Sequence, residues 1–352
     1  MLMQYVAPRW LPGGNLQTIW PALWARRVEA PLPAYRRERW TAPDGDFIDV
    51  DFLAAQGPAP RPLLVLFHGL EGSSRSHYAE AFAAHALARG WDYAVPHFRG
   101  CSGEINLAPR AYHSGDYEEV GWILARLRER QVGPERGAGL PQVSERALGG
   151  QRGHEVPSVG APIFAAGVSL GGNALLRWVE EAGAEASKVV SAVASISAPL
   201  DLAAGGAAIG QGFNRLVYTR MFLASMKPKA LAKLAQHPGL FDREALMAAA
   251  DLRAFDNVFT APLHGFRDTD DYWRRASAKP HLGAIRIPAL IVNATNDPFV
   301  PAASLPRPEE AGRHVTLWQP AHGGHVGFPM GPPPGHVRGL PERVGDWLAQ
   351  YL

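Results

Sequence analysis

Gly167-Val168-Ser169-Leu170-Gly171-Gly172 decides how this chain of 352 residues is read. The stretch follows an apolar run, Ile163–Val168, that predicts a strand, and it opens an amphipathic stretch, Asn173–Glu181, that predicts a helix. G-x-S-x-G between a strand and a helix is the pattern of a nucleophile elbow. The turn is so tight that larger side chains two before and two after the serine would collide, so Gly167 and Gly171 are required. The hydroxyl then stands free at the tip, with the positive end of a helix behind it. A Gly-rich strand-to-helix turn with no chemistry is the plain alternative.

Outward from this turn, short apolar runs alternate with helical patterns. Leu63–Phe67 is all apolar, as suits a strand covered on both faces. Tyr78–Arg89 and Asp116–Arg130 read as helices, and Trp91–Pro96, Val189–Ile196, Ala289–Ala294 and Val315–Gln319 as strands. Arg37–Thr41 and Phe47–Phe52 flank the turn Pro43-Asp44-Gly45-Asp46, a hairpin signal. Leu340–Leu352 predicts a closing helix. The first 35 residues, rich in Pro, Gly and Trp, show no clear period. This alternation implies a mostly parallel sheet with helices on both faces. Residues 199–280 break it and are too long for a simple crossover, so they predict an inserted cap over the core formed by 1–198 and 281–352. The Gly-, Arg- and Ser-rich stretch 132–160 predicts an exposed loop.

Composition narrows the function classes. Hydrophobic residues make up 47% and charged ones 19%, which excludes disorder, collagen and coiled coil as the main architecture. The net charge of +2 gives no electrostatic reason to expect nucleic acid or an anionic membrane as the main partner. Of 35 basic residues 30 are arginine, and no run of them resembles a phosphate-binding tract. The single cysteine, Cys101, excludes an intramolecular disulfide and a thiolate zinc site and fits a reducing compartment. No basic stretch followed by an apolar one opens the chain. The expectation is a cytoplasmic protein. The uncharged stretch from Val156 to Leu176 contains four glycines and reads as strand, turn and helix start, not as a membrane span.

A serine hydroxyl needs a base, and the base needs an orienting group. On a fold of this kind the order is Ser, acid, His. Asp297, in Asn296-Asp297-Pro298, directly follows the strand at 289–294 and is the candidate acid, with Asp201 as rival. His322 and His325, in Ala321-His322-Gly323-Gly324-His325, both suit the base by position. Their H-x-x-H spacing also admits a metal reading, but the glycines oppose a helix and no third ligand is evident, so no metal and no cofactor is expected. The oxyanion donors expected are the backbone N–H groups of Leu170 and of Leu70. Leu70 stands in the loop His68-Gly69-Leu70-Glu71-Gly72, and Gly69 is its near alternative. His68, at the strand end, reads as structural. Ser102 and Ser114 lack elbow context, and Cys101 reads as packing.

Taken together, His68–Gly72, His97-Phe98-Arg99-Gly100-Cys101-Ser102-Gly103-Glu104, Tyr112-His113-Ser114-Gly115, Gly167–Asn173, Asn296-Asp297-Pro298-Phe299 and Gly323-Gly324-His325-Val326-Gly327-Phe328 resemble the YheT-type α/β-hydrolases. Gly14-Asn15-Leu16-Gln17-Thr18 is similar to that family's opening segment. The resemblance implies an eight-stranded α/β-hydrolase sheet, and a triad on Ser169, Asp297 and His325. It also implies carboxylesterase, acylglycerol lipase or alcohol acyltransferase activity. His97 and Asn296 depart from residues common in the family. The expected function is cleavage of short- to medium-chain acyl esters or acylglycerols through an acyl-enzyme. The alternatives are an alcohol acyltransferase and a silent binding module on the same fold. The expected partner is a small-molecule or lipid ester. Trp10, Trp20 and Trp24 read first as packing on the core, with transient contact to a membrane surface as the alternative. The oligomeric state stays open.

Overall fold

The computed structural model describes residues 4–132 and 160–352. The expected loop at 132–160 therefore falls almost wholly outside the described residues.

Eight strands form one sheet in the order β1-β2-β4-β3-β5-β6-β7-β8. They are β1 Arg36–Thr41, β2 Phe47–Leu53, β3 Leu63–Phe67, β4 Asp92–Pro96, β5 Ile163–Val168, β6 Ala192–Ile196, β7 Ala289–Val292 and β8 Val315–Trp318. The β1–β2 hairpin joins β4 antiparallel, and every pair from β4 through β8 is parallel. The apolar run of β3 divides as the two-unit strand period demands. Leu63, Val65 and Phe67 enter one core; Leu64 and Leu66 enter the other. Helices α3 (Tyr117–Val132) and α4 (Leu170–Ala182) cover the first face. Helix α2 (His77–Ala88) and the C-terminal helix Gly339–Leu348 cover the second. Each fully buried Leu or Phe contributes roughly 1.5–3 kcal/mol, so neither face tolerates exposure.

Between β6 and β7 stand short helices: α5 (Leu202–Ile209), then Arg220–Gln236, Arg243–Ala248, Leu252–Val258 and Thr269–Ala276. Four begin on an aspartate whose carboxylate accepts first-turn backbone N–H groups: Asp201, Asp242, Asp251 and Asp268. Such caps contribute about 1 kcal/mol each. They also settle Asp201, which caps α5.

Three expectations need adjustment. The helix after the elbow starts at Leu170, because Ser169 itself is the N-cap. Strand β6 starts at Ala192, because Gly183–Lys188 forms a 3₁₀ turn first. The first 35 residues are not without regular structure: Gly13–Leu23 is helix α1. No helix among the described residues is long and apolar enough to cross a membrane.

Candidate active site

Ser169 sits between β5 and α4 with φ 52° and ψ −119°, a conformation L-residues avoid. Such strain costs on the order of 1–3 kcal/mol and persists only where the surroundings enforce it. Here the packing does so. A Cβ on Gly167 would stand 2.4 Å from the Gly171 carbonyl oxygen, and one on Gly171 would stand 2.4 Å from that of His68. The glycines thus allow β5, α4 and the loop after β3 to touch backbone to backbone.

The structure brings Ser169, His325 and Asp297 together. Ser169 Oγ lies 3.0 Å from His325 Nε2, and His325 Nδ1 lies 2.9 Å from Asp297 Oδ2. A carboxylate only accepts, so Nδ1 carries the proton and Nε2 of the neutral ring accepts from the serine hydroxyl. The other oxygen of Asp297 accepts the N–H groups of Phe299 at 2.8 Å and Val300 at 3.3 Å. The carboxylate is therefore aimed by the backbone of its own turn. The Phe299 ring, its centroid 4.1 Å from that of the imidazole, flanks His325. His322 is exposed, and its Nδ1 lies 3.4 Å from the Asn296 amide nitrogen.

Beside Ser169 lies the loop 68–72. His68 is fully buried; its Nε2 accepts the Phe98 N–H at 3.1 Å and its Nδ1–H donates to the Gly69 carbonyl at 2.8 Å. Burial, aided by the nearby His97, lowers its pKa to about 3. It is a neutral strut. The Gly69 N–H donates to the Tyr78 hydroxyl at 2.9 Å, which occupies the alternative oxyanion donor. Leu70 and Leu170 both line the same cavity as Ser169 and His325. Glu71, with φ 58°, is held from two sides. Tyr112 Oη accepts its N–H at 2.9 Å and donates to its carboxylate at 3.0 Å, while Lys229 pairs with its other oxygen at 2.9 Å.

The most consequential partners of the site lie in α1, whose motif the sequence showed without its role. Thr18 Oγ1 accepts the backbone N–H of His325 at 2.8 Å. Gln17 Oε1 accepts both the Gly323 N–H and the Asn296 amide, each at 2.9 Å, and Asn296 Oδ1 accepts the Gly324 N–H at 3.0 Å. One helix thus fastens the loops that carry Asp297 and His325. From the opposite side Ser197, also at positive φ, accepts the Val326 N–H at 3.1 Å.

Over this constellation opens a cavity of about 1190 Å³, mouth included. Its walls are mostly apolar, with Ile209, Phe222, Met226, Phe255, Phe259 and Trp273 among them. Ser114 is buried under the Asn173 amide rather than presented to solvent. Burial pushes the Cys101 thiol up to about 11, which disfavours the thiolate.

The chain is similar to known proteins over nearly its whole length. A family described as alpha/beta hydrolase fold matches residues 160–332. The Escherichia coli (strain K12) protein YheT, whose esterase name is provisional, is 37% identical over 99% of this chain and 94% of its own. A mouse protein named phospholipase ABHD3 is 27% identical over 85% of this chain and 67% of its own. A yeast (Saccharomyces cerevisiae) monoacylglycerol lipase is 24% identical over 83% and 59%. Among solved structures, the Pyrococcus furiosus esterase Pf2001 superposes with a TM-score of 0.50 at 15% identity, covering 92% of this chain and 97% of that one. Fold and relatives together define the class, an α/β-hydrolase of the esterase and lipase type. Within that class the chain belongs to the YheT-type family.

Proposed function

We propose that this chain hydrolyses carboxylic esters of short- to medium-chain acids, or acylglycerols, with Ser169 as nucleophile, His325 as base and Asp297 as its orienting acid. The observation that carries the reading is the continuous Ser169–His325–Asp297 hydrogen-bond chain at the floor of an apolar cavity. His325 takes the Ser169 proton as Oγ attacks the acyl carbon, and Asp297 stabilises the imidazolium that forms. The oxyanion is held by the N–H groups of Leu70 and Leu170, each contributing roughly 10²–10³ in rate. Protonation by His325 releases the alcohol, and water activated by the same ring then cleaves the acyl-enzyme. The helices of 199–280 act as the cap, giving the acyl chain its apolar walls. Every step uses groups of the chain itself, with neither metal nor cofactor.

The test is hydrolysis of p-nitrophenyl esters from acetyl to palmitoyl by wild type, Ser169→Ala, His325→Ala and His322→Ala. Loss of activity in the first two variants, with retention in the third, supports the assignment. Wild-type failure on every ester, together with failure of a fluorophosphonate to label Ser169, overturns it. Added alcohol separates the rival reading, since an acyltransferase would yield the new ester.

A further inference from the structure

Carboxylates are distributed unevenly along this chain. Residues 1–28 contain none, and residues 202–241 contain none, although the chain has 33 Asp and Glu. Those two segments hold Arg9, Arg26 and Arg27, and Arg215, Arg220, Lys227, Lys229 and Lys233. They meet in the fold. Tyr218 Oη donates to Asn15 Oδ1 at 2.9 Å, and Ile19 of α1 packs with Ile209, Tyr218 and Phe299 in one apolar cluster.

The outward sides of these segments are apolar as well as acid-free. Eleven large apolar side chains are exposed among the described residues, and seven belong to these two segments: Val6, Leu16, Leu23, Trp24, Phe213, Leu216 and Met221. On α1 the positions 16, 20, 23 and 24 share one face by helical spacing, and Trp20 and Trp24 lie ring to ring at 4.7 Å. On the second segment Arg215–Thr219 is a π-helical turn, which carries the spacing from Leu216 to Met221. The helix that follows is two-sided, with Phe222, Met226 and Ala230 lining the cavity while Met221 is exposed. Arg9, Arg26, Arg215 and Arg220 are exposed around this surface. The two carboxylates met at the end of α1, Glu29 and Glu80, are paired with Arg338 and Arg27.

Exposed apolar side chains set among unpaired-by-acid arginines match the surface of an anionic lipid layer, with rings and aliphatics entering the headgroup region and arginines meeting lipid phosphates. We propose that α1 and the segment 213–221 form one docking surface for an anionic lipid bilayer. This places the cavity, walled by the other side of the same helix, next to the lipid. The proposal concerns binding and holds or fails independently of the ester-hydrolase reading.

The test is co-sedimentation of the full chain with sucrose-loaded vesicles, of phosphatidylcholine alone or with about one-third phosphatidylglycerol. Wild type pelleting with the anionic vesicles, with binding weakened by high salt, is the expected result. Phe213→Ser/Leu216→Ser/Met221→Ser lowers affinity at least ~10-fold. Arg215→Glu/Arg220→Glu lowers it by at least about 25-fold, roughly fivefold for each arginine removed. Both variants keep the wild-type melting temperature and far-ultraviolet circular dichroism, which excludes misfolding. Equal binding to neutral and anionic vesicles, or no change in either variant, overturns the proposal. So does a wild-type dimer that the triple serine variant dissociates while vesicles pellet neither, for then a second copy covers the surface.

Discussion

Thr18→Val tests whether α1 positions His325, the proposed base. The substitution keeps the shape of the side chain and removes the hydroxyl that accepts the His325 N–H at 2.8 Å. Both residues are buried, so no water replaces the lost acceptor. An unsatisfied buried donor costs about 1–3 kcal/mol. Unfolding entropy near 2.1 cal/mol/K per residue makes ~2 kcal/mol a fall in melting temperature of roughly 3 °C for a chain of this size. The loop can recover part of that cost by shifting, and the shift moves His325 away from its 3.0 Å contact with Ser169. A misplacement near 1 Å costs on the order of 10²-fold in rate. The expected outcome is a small loss of stability with a ten- to hundredfold loss of kcat, KM little changed, and recovery of both in Thr18→Ser. The assay is steady-state hydrolysis of p-nitrophenyl butyrate beside thermal unfolding. A lowered melting temperature with unchanged kcat would refute the reasoning, because α1 would then brace the fold without placing the base.

Gly171→Ala forces a methyl to within 2.4 Å of the His68 carbonyl oxygen, so it lowers stability by at least 1–3 kcal/mol and abolishes fluorophosphonate labelling of Ser169. Cys101→Ala retains wild-type activity, and iodoacetamide at pH 8 leaves the wild type active, since the thiol titrates near 11. His68 is held neutral with its pKa lowered to about 3, so its share of stability is complete above the unfolded value near 6.5 and declines as pH falls toward 3. At pH 5 the loss from this group is about 2 kcal/mol. Urea unfolding at pH 7 and pH 5 should show a smaller loss for His68→Asn, whatever its baseline stability.

The elbow was legible in sequence because its requirements are local. Close backbone contacts make Gly167 and Gly171 obligatory, and both lie within two residues of Ser169. Asp297 was legible for a similar reason, since a carboxylate one turn past a strand lies at the sheet's active edge. The choice between His322 and His325 was not settled by local pattern, for both share one glycine-rich loop. It depends on the Thr18 and Gln17 contacts, which come from 300 residues away. Helix α1 itself escaped reading because its buried face is polar. Gln17 and Thr18 point inward to satisfy loop backbone, Gly13 and Gly14 open the helix, and Pro21 lies inside it. None of this gives an apolar period. The short helices between β6 and β7 showed no sustained period either. Their aspartate caps were the available signal, one that counts only when each aspartate is matched to the turn that follows.

The bond between Thr18 and His325 joins residues 307 positions apart. Of the three residues, the ribosome makes Thr18 first, Ser169 next and His325 last. Until His325 has been made and seated, Ser169 lacks the ring that lies 3.0 Å from its hydroxyl in the folded chain. The arrangement is therefore complete only once α1 and the loop holding His325 have met. Labelling of Ser169 by a fluorophosphonate would thus report on the docking of two distant segments as well as on chemistry.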